Sequence, residues 1–240
     1  MNLKDIAKGT RRVLPLKKCG VVIVAAGSAS RMGGIDKVMA TLGGEPMIVK
    51  TVRAFQNCGA IQEIVIVTRE DLILPITGLC GRFDKVRGVV VGGKSRQESV
   101  KLGLAALSEK MELAAVHDGA RPLISDGVID RTVRAAHTYG GAAPVIPVKD
   151  TIKVYAGGFI AATPDRETLR AVQTPQVFDK ALLMGALVKA EQDGAAVTDD
   201  CSAVERLGMK IRLVEGEERN LKITTPMDLK IAEMLLEDEI

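Results

Sequence analysis

Short apolar runs alternate with longer segments of helical periodicity over the first 150 residues of the chain. The runs predict strands at Gly20–Ala26, Glu63–Thr68, Arg87–Val91, Leu113–His117 and Ala142–Val148. The segments between them predict helices over Pro46–Cys58, about Glu70–Phe83 with a break at Pro75, Ser95 to about Ser108, and Ser125 to about Thr138. Because the strands are apolar on both sides, we expect an α/β fold with a mostly parallel, Rossmann-like sheet and helices on both faces.

The pattern changes after Asp150. Thr151–Tyr155 and Phe159–Thr163 flank the turn Ala156-Gly157-Gly158 and predict a β-hairpin. A lone hairpin is marginally stable in water, so we expect this arm to pack against something else, and a second subunit is the simplest candidate. The remaining pattern predicts helices at about Asp179–Gln192 and Asp199–Leu207, a strand at Lys210–Val214 and a last helix from Pro226. We therefore predict a single domain over 20–240 with an arm at about 150–164.

Charge is distributed unevenly along the chain. The net charge is +3, but residues 1–19 carry six basic side chains and one acidic one, which leaves 27 basic and 29 acidic residues in the body. A body without a basic excess, with no Trp, four Phe and two Tyr, is a poor candidate for binding nucleic acid. We predict that residues 1–19 form a disordered or loosely docked basic extension.

The cysteines Cys19, Cys58, Cys80 and Cys201 are far apart and form no CxxC pair. This spacing argues against structural zinc and a disulfide framework. No apolar run reaches the length of about 18 residues that a membrane span requires. We expect a cytoplasmic protein without a membrane partner.

The first predicted strand ends in Ala25-Ala26-Gly27-Ser28-Ala29-Ser30-Arg31-Met32-Gly33. Small residues leave the backbone N–H groups of such a loop open to an anion. Arg31 and Lys37 add two positive groups, which suits a triphosphate. The loop is neither a Walker A motif nor a GxGxxG motif. A plain tight turn with solvent-facing Arg31 and Lys37 is the alternative interpretation.

Two further loops follow predicted strands. In Val116-His117-Asp118-Gly119-Ala120-Arg121-Pro122, Asp118 is placed to hold Mg²⁺ or a substrate hydroxyl, and Arg121 to pair with a phosphate. The alternatives are a turn-forming Asp118 and a surface Arg121, and we expect His117 to pack or to make one hydrogen bond.

In Gly92-Gly93-Lys94-Ser95-Arg96-Gln97-Glu98-Ser99, the glycines permit close approach of a base and Ser99 can read its edge, while Ser95 caps the helix in either case. We expect the three loops to open onto one crevice at the carboxyl ends of the strands.

In this order the three loops resemble those of the 2-C-methyl-D-erythritol 4-phosphate cytidylyltransferases, within the sugar-nucleotidyltransferase superfamily. The resemblance runs from about Gly20 to the C-terminus and includes Val148–Lys153, Gln173–Gln176, Thr198–Ala203 and Asn220–Thr224. It implies transfer of the cytidylyl group of CTP to methylerythritol phosphate, with Mg²⁺, giving 4-diphosphocytidyl-2-C-methylerythritol and pyrophosphate for isoprenoid precursors. The substrate phosphate would attack the CTP α-phosphate directly.

The resemblance also implies roles for individual residues. Charge on the phosphates would be stabilised by Arg31, Lys37 and Lys222. CTP would be contacted by Ala25, Ala26, Gly27, Gly93, Ser99, Asp118 and Gly119, with Asp118 also a candidate Mg²⁺ ligand. The polyol phosphate would be held by Arg121, Thr151, Arg166 and Thr198. Family members clasp a neighbouring subunit with a β-arm, so a homodimer is implied in which Thr151 and Arg166 can serve the partner's site.

Some positions leave alternatives open. Thr198 can instead cap the helix that follows it, and Lys222 can be a solvated lysine at a strand end. Val38 stands where the family often has Gln, and Lys94 where it often has an acidic residue. Ribitol-5-phosphate cytidylyltransferase is the nearest alternative function, and a non-catalytic nucleotide-binding module is a more distant one. A glycosyltransferase is disfavoured because Gly119-Ala120 follows Asp118 and leaves no DxD motif.

Overall fold

A computed structural model of the chain describes residues 15–27 and 37–237. Its strands are β1 Cys19–Val24, β2 Thr41–Leu42, β3 Glu45–Pro46, β4 Ile61–Thr68, β5 Val86–Val91, β6 Leu113–Asp118, β7 Gly141–Pro147, β8 Val154–Ala156, β9 Phe159–Ala162, β10 Arg170–Val172, β11 Gln176–Asp179 and β12 Arg212–Glu215. Its α-helices are α1 Met47–Asn57, α2 Ile73–Cys80, α3 Arg96–Ala106, α4 Asp126–Tyr139, α5 Lys180–Gln192, α6 Asp200–Glu205 and α7 Pro226–Glu237. Within these residues no helix combines the length and the apolarity needed to cross a bilayer.

The main sheet has the strand order β10-β7-β11-β6-β1-β4-β5. β10 and β11 pair with the same edge of β7, and β12 pairs with its opposite edge. The pairs of β1 with β4, β1 with β6, β4 with β5, and β12 with β7 are parallel. The predicted α/β fold with a mostly parallel sheet is therefore confirmed. Parallel pairing brings the carboxyl ends of β1, β5 and β6 to one edge of the sheet, which is where ligands bind in folds of this type.

Side chains of β1 alternate between two cores. Val21 and Ile23 pack with α1, α2 and α4 on one face of the sheet, whereas Val22 packs with α3, α5 and α6 on the other. Because both faces are covered, nearly every residue of β1 is apolar and buried. A third cluster packs α7 and the β2–β3 hairpin against Ala120 and Ile223, and so supports the loops that follow β6 and β12.

The local structure differs from the predictions at three places. Pro75 does not break a helix: it lies in the first turn of α2, where its missing N–H costs no intrahelical bond, and a 3₁₀ turn over Glu70–Leu72 precedes it. The strands β10 and β11 were not predicted, and both enter the main sheet antiparallel. The first strand begins at Cys19, inside the predicted basic extension, of which residues 1–14 lie outside the described part of the chain.

The predicted hairpin forms from β8 and β9. Gly157 and Gly158 form its turn with φ of +57° and +89°, a conformation that strongly favours glycine at both positions of a tight hairpin turn. Its strands expose apolar side chains, with Tyr155 at 76%, Phe159 at 81% and Ile160 at 66% of their full accessibility.

Candidate active site

The loops after β1, β5 and β6 open onto one cleft of about 380 Å³, as predicted. Its lining comes from all three loops, from the 3₁₀ turn Lys37–Met39 and from the segment after β12: Val24, Ala25, Ala26, Gly27, Lys37, Val38, Gly93, Lys94, Ser95, Arg96, Ser99, Asp118, Ala120 and Lys222. Four of these residues are cations and one is a carboxylate, so the described lining favours an anionic ligand. Arg31 lies outside the described residues.

Two glycines allow the loops to approach closely. A methyl group on Gly92 would lie 2.6 Å from Cβ of Ala26, and one on Gly119 would lie 3.2 Å from Cβ of Ala25. The backbone holds the first loop between its neighbours, because Ala25 N donates to Val67 O at 2.7 Å and Gly119 N donates to Val24 O at 2.9 Å. The start of the predicted anion-binding loop is therefore fixed by the sheet.

The loop between β5 and α3 is shaped by serine hydroxyls. Ser95 caps α3 by accepting from Glu98 N at 3.1 Å, as predicted. Ser99 is buried, donates to Ser95 O at 2.9 Å and accepts from Gly93 N at 3.1 Å. Its hydroxyl thus holds Gly93 at the wall of the cleft, while its predicted contact with a base stays a prediction. Lys94 N donates to Glu98 Oε2 at 2.7 Å.

Asp118 ends β6 and is 8% exposed. Its Oδ2 lies 3.0 Å from Nζ of Lys222 and 3.4 Å from Nε of Arg121. Burial opposes ionisation of this carboxyl, but the charges of Lys222, Arg96 and Arg121 prevail and lower its pKa to about 2. Asp118 is therefore an anion at neutral pH.

Arg121 contacts other groups of the protein, and its predicted contact with the substrate phosphate stays a prediction. Its guanidinium is largely buried, and Nη1 donates to the carbonyl oxygen of Asn220 at 2.6 Å. It does not line the cleft in the described chain. Together with the bond from Ile223 N to Ala120 O at 2.9 Å, this contact holds the segment that carries Lys222 against the loop after β6.

His117 packs in the core, as expected, and its ring makes two hydrogen bonds where one was expected. Its buried ring lies edge-on to Phe55, with Nε2 3.1 Å from the Arg121 carbonyl and Nδ1 3.1 Å from Oγ1 of Thr174. A carbonyl can only accept, so Nε2 carries the proton and Nδ1 accepts from the Thr174 hydroxyl. That hydroxyl in turn accepts from Asp118 N at 3.2 Å. Burial lowers the pKa of His117 to about 4, so the imidazole in this chain of hydrogen bonds is neutral at neutral pH.

Arg96 and Asp200 were missed by sequence reasoning. Nη2 of Arg96, in the cleft wall, donates to Oδ2 of the fully buried Asp200 at 2.7 Å. The position of Arg96 three residues after Gly93, directly after the cap Ser95, was the one available signal. Burial raises the pKa of Asp200, and the Arg96 charge counteracts this effect.

The remaining residues predicted to hold the polyol do not line the cleft of this chain. Thr151 and Arg166 are exposed beside the β8–β9 arm, where Nη1 of Arg166 donates to Lys149 O at 2.9 Å. Thr198 is exposed, and the alternative that it caps the next helix is wrong, because Asp199 caps α6 by accepting from Ser202 N.

No group of three or more His, Cys, Asp or Glu residues that could hold a metal occurs within 15–27 and 37–237.

Comparison with known proteins shows the family of the chain. The family model described as "IspD: 2-C-methyl-D-erythritol 4-phosphate cytidylyltransferase" matches residues 19–238. The chain belongs to this family. It is 45% identical over 221 residues to the 2-C-methyl-D-erythritol 4-phosphate cytidylyltransferase of Symbiobacterium thermophilum, covering 91% of this chain and 93% of that protein. The corresponding protein of Caldanaerobacter subterraneus is 44% identical, over 90% of this chain and 97% of its own length.

Solved structures of the family share the fold. The 4-diphosphocytidyl-2C-methyl-D-erythritol synthase of Anaerococcus prevotii superimposes with a TM-score of 0.83 at 31% identity, covering 92% of this chain and 96% of that chain. The 2-C-methyl-D-erythritol 4-phosphate cytidylyltransferase of Thermus thermophilus gives a TM-score of 0.76 at 36% identity, covering 92% and 99%.

Proposed function

We propose that this protein is a cytidylyltransferase that transfers the cytidylyl group of CTP to 2-C-methyl-D-erythritol 4-phosphate and releases pyrophosphate, in isoprenoid precursor biosynthesis. The observation that carries the proposal is the cleft itself, which Lys37, Asp118 and Lys222 all line although they come from three distant parts of the chain. Membership of the family supplies the substrate class.

The proposed reaction is an in-line displacement at phosphorus. An oxygen of the polyol phosphate attacks the α-phosphorus of CTP, the bond from that phosphorus to the bridging oxygen of pyrophosphate breaks, and a new diphosphate linkage forms. Lys37 and Lys222 stabilise the negative charge that spreads over the phosphate oxygens. Arg31 is proposed as a third such cation on sequence grounds.

CTP binding is assigned to the walls of the cleft. The backbone at Ala25, Ala26 and Gly27 is proposed to contact the nucleotide, with Gly93 and Ser99 at the base and Gly119 beside Asp118. These groups are pre-positioned by the bonds within and between the loops, so little ordering cost falls on binding.

Mg²⁺ is the proposed cofactor, with Asp118 as its protein ligand. The donor set is compatible, since Mg²⁺ at a nucleotide usually keeps several waters and needs only one or two carboxylates besides the phosphates. When bound, the ion would neutralise part of the triphosphate charge. Asp118 also pairs with Lys222, so the ion and the lysine would share one carboxylate.

A homodimer through the β8–β9 arm is proposed to complete the polyol site. The arm exposes large apolar side chains, and Thr151 and Arg166 lie next to it. In the dimer these two residues would reach the partner's cleft, where Arg121 and Thr198 would complete the contacts.

The proposed location is the cytoplasm, because all four cysteines are free and buried, as a reducing compartment allows.

A pyrophosphate-release assay tests the function. CTP, UTP, ATP and GTP are each paired with methylerythritol phosphate and with ribitol 5-phosphate. We expect release only with CTP and methylerythritol phosphate. Equal or faster turnover of ribitol 5-phosphate would overturn the substrate assignment. Lys37→Ala should abolish release without loss of fold, whereas Lys110→Ala, at an exposed lysine outside the cleft, should not change it.

A further inference from the structure

Arg96 is one of the four cations in the described cleft wall. It is the first residue of α3, directly after the cap Ser95. The residue that holds its guanidinium, Asp200, lies 104 positions away in the chain. The ion pair therefore joins the nucleotide side of the cleft to the Thr198–Asp200 segment.

The backbone at Asp200 is fixed to the main sheet. Gln176, in β11, accepts from Asp200 N and Cys201 N with Oε1 at 3.0 Å and donates to Asp199 Oδ2 at 2.8 Å. Gln176 is itself 1% exposed and pairs with Val116 of β6. Asp200 thus has a rigid position relative to β6, the strand that ends in Asp118.

Stability alone does not account for this ion pair. Asp200 is fully buried, and its Oδ1 accepts no hydrogen bond from the described residues. A buried carboxylate with one unpaired oxygen carries a desolvation penalty that a single contact scarcely offsets. The desolvation penalty is explained if the function of the ion pair is to hold the Arg96 guanidinium at a defined position in the cleft wall.

We propose that Arg96 binds a phosphate group of the nucleoside triphosphate and that Asp200 is the positioning residue that holds it in the cleft. Arginine suits this task because its planar guanidinium offers five N–H donors, so one edge can bind Asp200 while another meets phosphate. Arg96 acts with Lys37 and Lys222, which line the same cleft. The inference rests on the proposed function only for the identity of the nucleotide.

Titration calorimetry with CTP and with cytidine tests the proposal. Arg96→Gln should weaken CTP binding roughly tenfold or more, the value of a charge-assisted hydrogen bond, and leave cytidine binding unchanged. Asp200→Asn should weaken CTP in the same way. The double variant should bind CTP no more weakly than Arg96→Gln alone, because Asp200 acts through Arg96. Asp193→Asn, which breaks the exposed Arg206–Asp193 pair, serves as the control and should change neither affinity.

Additive losses in the double variant would overturn the positioning role of Asp200. Unchanged CTP affinity in Arg96→Gln, or an equal loss for cytidine, would overturn the phosphate contact. If Asp200→Asn does not fold, arginine side-chain NMR of the wild-type protein decides: the Arg96 guanidinium should be rotationally restrained without ligand, and free rotation would refute the proposal. Intact CTP binding without polyol turnover refutes the proposed function alone, whereas a wild-type protein that binds no CTP refutes both.

Discussion

Nζ of Lys222 lies 3.0 Å from Oδ2 of Asp118, and this contact joins the loop after β6 to the segment after β12. The two side chains differ in exposure: 43% of the lysine is accessible and 11% of the aspartate. Asp118 therefore anchors the pair, and Lys222 extends into the cleft. This geometry makes the lysine available to a phosphate while its resting position is defined.

Lys222→Met is expected to lower kcat for pyrophosphate release by about 10²–10³-fold, because a preorganised charge is removed from the transition state. Steady-state kinetics with CTP and methylerythritol phosphate measure the effect. Lys230→Met, at an exposed lysine of α7 outside the cleft, is the matched control. A wild-type rate in Lys222→Met would remove this residue from the mechanism.

Asp118→Asn is expected to change how stability depends on acid. The pKa of Asp118 is lowered to about 2 in the folded protein, so its contribution is present above its ordinary pKa of 3.8 and is lost as pH falls toward 2. The difference in the free energy of unfolding between wild type and variant should shrink by about 2 kcal/mol over that window. Urea unfolding at several pH values measures it. Asp84→Asn, at an exposed carboxyl, is the control: it retains Asp118, so its free energy of unfolding should depend on pH as that of the wild type does. If the difference between wild type and Asp118→Asn is the same at every pH, the ion pair is contradicted.

His117 should make the fold sensitive to mild acid. Its pKa is lowered from 6.5 to about 4 in the folded protein, so the neutral ring stabilises the fold fully above pH 6.5 and this stability is lost as pH falls to 4. The loss should be about 3 kcal/mol, measured by urea unfolding. His117→Gln should lack this fall, whereas His137→Gln keeps it. If the free energy of unfolding depends on pH in the same way in wild type and His117→Gln, the His117 ring is not held neutral by burial.

Phe159→Asp is expected to disrupt the proposed dimer, because it places a charge on the exposed apolar face of the arm. Sedimentation velocity should find a monomer that still binds CTP but turns over little methylerythritol phosphate. Leu74→Asp is a close control, since Leu74 is 82% exposed and Phe159 81%, but Leu74 lies on α2 away from the arm. A variant Phe159→Asp that remains dimeric would move the interface elsewhere.

Gly92→Ala should weaken CTP binding without unfolding the protein. The added methyl would lie 2.6 Å from Cβ of Ala26, so the loops after β1 and β5 must separate. Calorimetry with CTP measures the loss. Gly88→Ala, in β5 where an added methyl meets nothing within 4 Å, is the control. Equal affinities for the two variants would mean that the loop spacing does not matter to the nucleotide.

Local patterns of apolar, capping and glycine residues were sufficient to predict the parallel strands and adjoining helices of the fold. The buried strands, the cap Ser95, the start of α4 at its cap Ser125, and the two-glycine turn at Gly157-Gly158 each form where the pattern predicts them. The strands β10 and β11 escaped prediction because each is only three or four residues long and the segment between them is polar. Their pairing depends on β6 and β7, which are distant in sequence.

The α/β class, the three loops and the residue types at the cleft follow from the amino-acid pattern alone, because strand and helix periods, glycines and caps are encoded within a few residues of each other. Which charged groups come into contact depends on the three-dimensional fold. Asp118 with Lys222, Arg96 with Asp200, and Arg121 with the Asn220 carbonyl all join residues about 100 positions apart in the chain. Electrostatic interactions depend on distance and burial in space, and neither quantity can be obtained from a local pattern.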